Sequence, residues 1–197
     1  MTQTAASRAA VSAPSSERRE EMLRVASALL HERGLQVSLQ DIADQLGVTY
    51  NALYNHFKNR DDLLLQCLVR STVMLREHVE SSIAAGGTGL EQVLRFVRSF
   101  VEATAKDKVP SGRLLVALSV DAQRTLFRAG HEGRELLRGI VDSGIADGSI
   151  APTDVLIATT WILHTIYWWP EEVMPHRRPA MVTDTVCELF RRGLATP

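Results

Sequence analysis

The stretch Ser38-Leu-Gln-Asp-Ile-Ala-Asp-Gln-Leu-Gly-Val-Thr-Tyr-Asn-Ala-Leu-Tyr-Asn-His-Phe-Lys-Asn-Arg-Asp-Asp-Leu-Leu64 decides how the chain reads. Ser38, with Asp41 three residues on, is a capping-box variant and marks a helix start. Ile42, Ala43 and Leu46 then share one face of a short helix. Gly47 permits a tight turn that a residue with a Cβ resists. Thr49 is expected to cap a second short helix, from about Thr49 to His56, which buries Leu53 and Phe57. Asn59, with Asp62 behind it, is a third cap candidate. Two short helices meeting across a glycine turn make the helix-turn-helix pattern, whose second helix enters the DNA major groove. An ordinary pair of short helices in an α-bundle has the same spacing, so the pattern alone leaves both readings open.

The outward face of the second helix carries Tyr50, Asn51, Asn55 and His56, which hydrogen-bond without formal charge apart from a titrating imidazole. Asparagine can pair bidentately with adenine edges, and Tyr and Thr hydroxyls can reach phosphates. Lys58 and Arg60 follow directly, and Arg18, Arg19 and Arg24 lie upstream within reach of flanking phosphates. With Ser38, Thr49 and Tyr54, these residues of the motif and the two cations after it make up the candidate DNA-binding set.

Working outward, residues 1–16 are small and polar and read as a flexible arm. Met22, Val25, Ala26, Leu29 and Leu30 repeat at helical spacing, and Gly34 ends that helix as a left-handed residue. A long helix is expected from about Asp61 to Ser82, with Leu64, Leu68 and Leu75 inward. Gly86-Gly87-Thr88-Gly89 breaks it, and Leu90 to Ala105 is amphipathic. After a second break at Val109-Pro110-Ser111-Gly112, helical stretches run over Arg113–Arg128, Glu132–Asp147 and Thr153–Trp169. Pro170, Pro175 and Pro179 mark a loop before a last helix, Ala180–Leu194. No long segment alternates with a period of two. The expected fold is all-α, with about nine helices.

Of the 197 residues, 45% are hydrophobic, enough for a packed core and too many for a disordered chain. The net charge of −1 lacks the overall basic excess usual in nucleic-acid binders, so any such binding must rest on local placement. Cys67 and Cys187 lie far apart in apolar patterns and read as reduced, buried thiols. The six histidines show no H-E-x-x-H spacing, no G-x-S-x-G occurs, and Gly86–Gly89 lacks the Lys-Ser/Thr of a phosphate loop. Catalytic residues, metal ligands and cofactors are therefore not expected. No apolar run approaches the roughly 18 residues of a membrane span, and the N-terminus lacks a signal-peptide core, which points to the cytoplasm.

The run Ser38–Leu64 resembles the DNA-binding domain of the TetR family of bacterial regulators. The matching features are Ile42-Ala43, Leu46-Gly47-Val48, Leu53-Tyr54, His56-Phe57, Lys58-Asn59-Arg60 and Leu63-Leu64, and the first helix extends the match to about residues 17–64. The resemblance implies that Tyr50 and Asn51 face bases, that Tyr54 and His56 contact bases or phosphates, and that Arg60 contacts a phosphate. Tyr50 stands where the family often has a small or basic residue, Asn51 where many members have Gly or Pro, and Arg60 in place of the commoner Lys. These departures bear on which operator is read. The implied organisation is a DNA-binding domain at 17–62 and a ligand-binding and dimerisation domain at 63–197.

The resemblance further implies a homodimer through the last two helices, with Ala158, Ile162, Val186 and Phe190 as interface or core. It places an effector pocket among the middle helices, with Met74, His78, Phe96, Phe100, Leu118 and Phe127 as lining candidates. Arg113 and Arg124 are candidates for meeting an anionic group, and a surface salt bridge explains either equally. The aromatic cluster Trp161, His164, Tyr167 and Trp168 could line the pocket or anchor the core or dimer. The C-terminal half, ending in Tyr167-Trp-Trp-Pro170, resembles members that sense fatty acyl or steroid-derived coenzyme A thioesters. The expected partners are a double-stranded DNA operator, a second copy of the chain, and a hydrophobic or acyl-coenzyme-A-like effector.

Overall fold

A computed structural model describes residues 4–106, 112–173 and 178–196, with backbone alone at 4–16, 113, 169–173 and 179. Among the described residues the chain forms nine α-helices: α1 (Thr4–Arg33), α2 (Leu39–Leu46), α3 (Tyr50–Tyr54), α4 (Arg60–Ala84), α5 (Gly89–Lys106), α6 (Val120–Ala129), α7 (His131–Ala146), α8 (Val155–Val173) and α9 (Pro179–Leu194). Short 3-10 turns at Gly34–Gln36 and Gly112–Ala117 lead into α2 and α6. A single antiparallel bridge, Ile150 to Ala195, ties the α7–α8 loop to the end of α9.

Capping residues place most of these boundaries. The Ser38 side chain accepts the Asp41 N–H while the Asp41 carboxylate accepts the Ser38 N–H, a complete capping box at α2. These bonds from Ser38 hold the Asp41 carboxyl below the usual carboxylate range. Gly47 closes α2 at φ 64°, a left-handed conformation that glycine adopts without a Cβ clash. Asn59 opens α4 by accepting the Asp62 N–H at 2.8 Å, and Asp62 in turn accepts the Lys58 N–H at 2.9 Å.

Four expectations are corrected. Residues 1–16 are not an arm throughout, because α1 begins at Thr4; Ala5, Ala6, Ala9 and Ala10 are strong helix formers. The stretch Arg113–Arg128 is two elements, because the Ser119 side chain accepts the Ala122 N–H and starts α6 afresh. Helix α8 continues past Pro170 to Val173, so Pro170 stands in its last turn, where one missing hydrogen bond is tolerated; Pro179 occupies the first turn of α9, where its absent N–H goes unused. Thr49 sits at the start of α3, but its side chain makes no capping bond; its carbonyl accepts the Ala52 N–H at 2.9 Å. Pro175 and the break at 109–111 lie outside the described residues.

Two hydrophobic cores organise the helices. The N-terminal core joins Met22, Leu23, Ala26 and Leu30 of α1 to Ile42, Ala43, Leu53 and Phe57, all nearly inaccessible. Each large buried side chain of this kind contributes about 1.5–3 kcal/mol. This core does not stop at residue 62: Leu63, Leu64, Cys67 and Leu68 of α4 belong to it, as do Leu114, Leu118 and Ala122. The larger core holds Leu75 and Val79 of α4 with Phe96, Val97 and Phe100 of α5, Leu137 and Val141 of α7, Ile162 of α8 and Phe190 of α9. Helix α4 therefore runs through both. Cys67 is enclosed, and burial pushes its thiol up to about 11, so it stays protonated and inert.

Helices α5 and α7 meet at Gly89 and Gly144. A Cβ on Gly89 would stand 2.3 Å from the Gly144 Cα and 2.8 Å from the Ile140 carbonyl oxygen, both backbone. The Gly89 N–H donates to Asp147 at 2.8 Å and the Leu90 N–H to the Ser149 hydroxyl at 3.1 Å, so the α7–α8 loop caps α5 from outside. Replacing Gly89 with Ala should destabilise the protein by about 1–3 kcal/mol, the usual cost of overpacking against backbone. Chemical denaturation checks this, and Gly139→Ala, where a Cβ meets nothing within 4 Å, should leave the midpoint unchanged or raised.

Candidate functional site

The second helix of the motif is the five-residue α3, shorter than expected. The His56 and Phe57 N–H groups both donate to the Leu53 carbonyl at 2.9 Å, closing the last turn as Phe57 enters the core. Thr49, Tyr50, Asn51, Tyr54, Asn55 and Lys58 are exposed around α3, and Ser38 is exposed at the start of α2. His56 is half-buried beside Phe57, with ring centroids 6.5 Å apart. The Tyr50 and Tyr54 hydroxyls lie 3.0 Å apart, and their rings meet edge-on at 5.1 Å. That bond to Tyr50 raises the Tyr54 phenol above its ordinary value, so it remains a proton donor at neutral pH. The face is thus a set of neutral donors and acceptors with Lys58 beside it.

The arginines expected to meet phosphates also make contacts within the protein. Arg60 is half-buried, and its guanidinium donates to the Leu35 carbonyl at 3.0 Å and the Val37 carbonyl at 3.5 Å. It ties the start of α4 to the segment of chain entering α2 through one terminal nitrogen. The Arg19 guanidinium lies 5.2 Å over the Phe57 ring, and Arg18 faces Glu21 at 3.7 Å. Arg24 stays exposed on α1.

A cavity of about 500 Å³ opens between α4, α6, α7 and α8. Leu68, Leu75, Leu115, Leu126, Phe127 and Leu163 form its apolar wall, and Ser71, Thr72, Thr160, His164, Tyr167 and Trp168 add polar edges. The His164 and Trp168 rings stack at 5.3 Å, only 11° from parallel. Gly112 lets the 3-10 turn lie against Trp168, since a Cβ there would come within 3.1 Å of the indole nitrogen. The Tyr167 hydroxyl donates to the Ser71 carbonyl at 3.4 Å, and burial pushes that phenol up to about 12.

Of the expected lining, Phe127, His164, Tyr167 and Trp168 reach this cavity. The others do not. Phe96 and Phe100 are fully enclosed in the larger core, because α5 runs through its centre, and Met74 packs against the same core. Phe100 backs Tyr167 edge-on at 5.4 Å, and the imidazole of His78 lies 3.0 Å from the Ser99 hydroxyl. Leu118 belongs to the N-terminal core. Arg124 points to solvent and pairs with Asp121 at 3.3 Å, while the side chain of Arg113 lies outside the described residues. Trp161 is on the opposite side of α8, packed edge-on against Phe190 at 4.7 Å.

Sequence reasoning missed two cations in the cavity wall, Arg134 and Arg138 of α7. Their signal is the Arg134-Glu-Leu-Leu-Arg138 spacing, which sets two arginines one turn apart beside the inward Leu137. Burial and the neighbouring Arg138 charge lower the pKa of Arg134, which nonetheless stays charged. The candidate interface residues Ala158, Ile162, Val186 and Phe190 prove to be core. The exposed apolar residues of α8 and α9 are instead Leu156, Ile157, Trp161, Met181 and Leu189. No helix among the described residues is long and apolar enough to cross a membrane, and among them no group of three His, Cys, Asp or Glu side chains is placed to hold a metal ion.

Comparison with known proteins agrees with this architecture. Residues 22–67 match the model for bacterial regulatory proteins of the tetR family. The chain is 28% identical over 209 residues to the HTH-type transcriptional repressor KstR2 of Rhodococcus jostii (strain RHA1), covering 92% of this chain and 93% of that protein. The crystal structure of the TetR family regulator PfmR from Thermus thermophilus superposes with a TM-score of 0.70 at 23% identity, over 91% of this chain and 98% of that one. AibR, in complex with isovaleryl coenzyme A and operator DNA, gives a TM-score of 0.72 at 19% identity, over 87% and 97% of the two chains. The helix-turn-helix coincides with the family match, and the chain is similar over most of its length to transcriptional regulators with this all-α fold.

Proposed function

We propose that the chain is a ligand-responsive repressor that binds a palindromic operator in double-stranded DNA as a homodimer and is released by a small hydrophobic molecule. One observation carries this reading: α4 starts against the recognition motif at Arg60 and, further along, supplies Leu68, Ser71, Thr72 and Leu75 to the cavity wall. A second link joins the two ends, because the Ser119 hydroxyl at the head of α6 donates to Asp61 at 2.6 Å. A ligand that prefers one setting of α4 and α6 therefore biases the spacing of the two recognition helices, and typical couplings of this kind are about 1–3 kcal/mol. Support for repression and for an acyl-coenzyme-A-like effector comes from KstR2, named as a repressor, and from the AibR complex. Meeting a chromosomal operator places the protein in the cytoplasm.

Two-fold pairing through α8 and α9 is supported by the exposed Leu156, Ile157, Trp161, Met181 and Leu189. Large apolar side chains exposed on both helices are expected of a self-complementary face. Replacing Ile157, which is 68% exposed, with Asp should yield a monomer in sedimentation and abolish tight operator binding without lowering helicity. A dimer that persists in that variant would place the interface elsewhere.

Selection of bound fragments from a random DNA pool tests the whole reading, and the expected product is a palindrome. Affinity should fall with salt at a log–log slope of about −0.9 per phosphate contacted. Asn51→Ala should relax preference at one base position per half-site, at a cost of about 1–3 kcal/mol. Lys58 and Arg60 should separate: Lys58→Ala weakens binding to all sequences at unchanged melting temperature, whereas Arg60→Ala lowers the melting temperature because it frees the Leu35 and Val37 carbonyls. Failure to recover any sequence at low salt would remove DNA binding from the reading.

A further inference from the structure

The cavity is apolar on most of its surface yet holds two guanidinium groups on one wall. Arg134 and Arg138 sit one turn apart on α7, so they face the same side and repel each other. Among the described residues their partners do not neutralise both. Arg134 donates to the Phe127 carbonyl and lies 5.7 Å over the Phe127 ring, two uncharged partners. Among the described residues no carboxylate is within ion-pair distance of Arg134. Arg138 pairs with Glu135 through one terminal nitrogen, while its Nε is buried and has no hydrogen-bond partner among the described residues. No carboxylate is among the described residues that line the cavity. An unused guanidinium donor beside a second cation suits an anion, which can take charge-assisted hydrogen bonds from both groups.

The opposite side suits a different chemistry. Leu68, Leu75, Leu126 and Leu163 offer only dispersion and apolar contact, and the His164–Trp168 stack presents a flat edge. We infer that the cavity takes an amphipathic anion, whose single acidic end lies against Arg134 and Arg138 and whose aliphatic or aromatic body fills the leucine-lined space. This inference rests on the reading of the cavity as the effector site. The acidic end can be a free carboxylate or the charged carrier of a thioester, and both present the same anion chemistry to α7.

The test is calorimetric titration of the full-length protein with paired probes that differ only in charge: decanoate against decanamide, and 2-naphthylacetate against 2-naphthylacetamide. Decanoyl-coenzyme A forms a third arm. At least one acid is expected to bind about tenfold more tightly than its amide, and Arg138→Gln should erase that preference while the amide binds as before. Arg124→Gln, outside the cavity, should change nothing. Arg134→Gln is the second variant, read beside its circular dichroism spectrum. Dependence on Arg138 in the decanoate arm alone assigns the acidic end to a carboxylate, and in the coenzyme A arm alone to the carrier. Equal binding of acids and amides, retained preference in Arg138→Gln, or no binding of any probe at about 1 mM overturns the inference. An acid that binds with the expected charge preference but leaves operator affinity untouched overturns the effector reading and leaves the ligand class standing.

Discussion

Helix α4 cannot move without disturbing two packed cores, and this constraint governs the rest of the structure. Leu63, Leu64, Cys67 and Leu68 lock its first half among α1, α2 and α3, while Leu75 and Val79 lock its second half among α5 and α7. Protein interiors are close-packed and respond to displacement by switching between arrangements rather than by yielding smoothly. The Asp61–Ser119 bond and the Arg60 bonds add directional ties at the same end of the helix. The cavity wall that α4 supplies with Leu68, Ser71, Thr72 and Leu75 is thereby carried by the same helix that starts at the helix-turn-helix.

The charge distribution is compatible with DNA recognition despite a net charge of −1. Many of the arginines are committed within the protein: Arg70 to Glu20 at 2.9 Å, Arg98 to Asp184 at 2.8 Å, Arg19 to the Phe57 ring. Exposed pairs of this sort contribute little stability individually. What they do is leave the recognition face to neutral groups. Tyr50, Asn51, Tyr54 and Asn55 can read bases or meet phosphates by hydrogen bonding, with Lys58 supplying charge locally.

Helix content, capping at Ser38 and Asn59, and the glycine turn at Gly47 were all legible from sequence, because each depends on residues within one turn of the boundary. The exposure of Tyr50, Asn51 and Asn55 was legible for the same reason, whereas His56, expected on that face, is half-buried. Tertiary assignments were harder. Phe96 and Phe100 have the size and spacing of pocket residues, and only the central position of α5 makes them core. Arg60 looks like a free cation until the chain before α2 is seen to pass beside it. Arg134 and Arg138 resemble a solvated pair in sequence, and the packing of α6 and α8 around α7 is what turns them inward. The apolar residues of α8 and α9 divide between core and surface on the choice of face, which periodicity alone leaves undetermined.

The stacked His164 and Trp168 rings have a consequence for observation rather than for mechanism. An indole held parallel to an imidazole at 5.3 Å has an emission that depends on the ring beside it and on the polarity of the space it borders. Trp168 borders the cavity, whereas Trp161 lies against Phe190 on the other side of α8. With the chain's other two indoles, Trp161 and Trp169, replaced, Trp168 becomes a native optical reporter of cavity occupancy and needs no attached dye to follow filling of that space in real time.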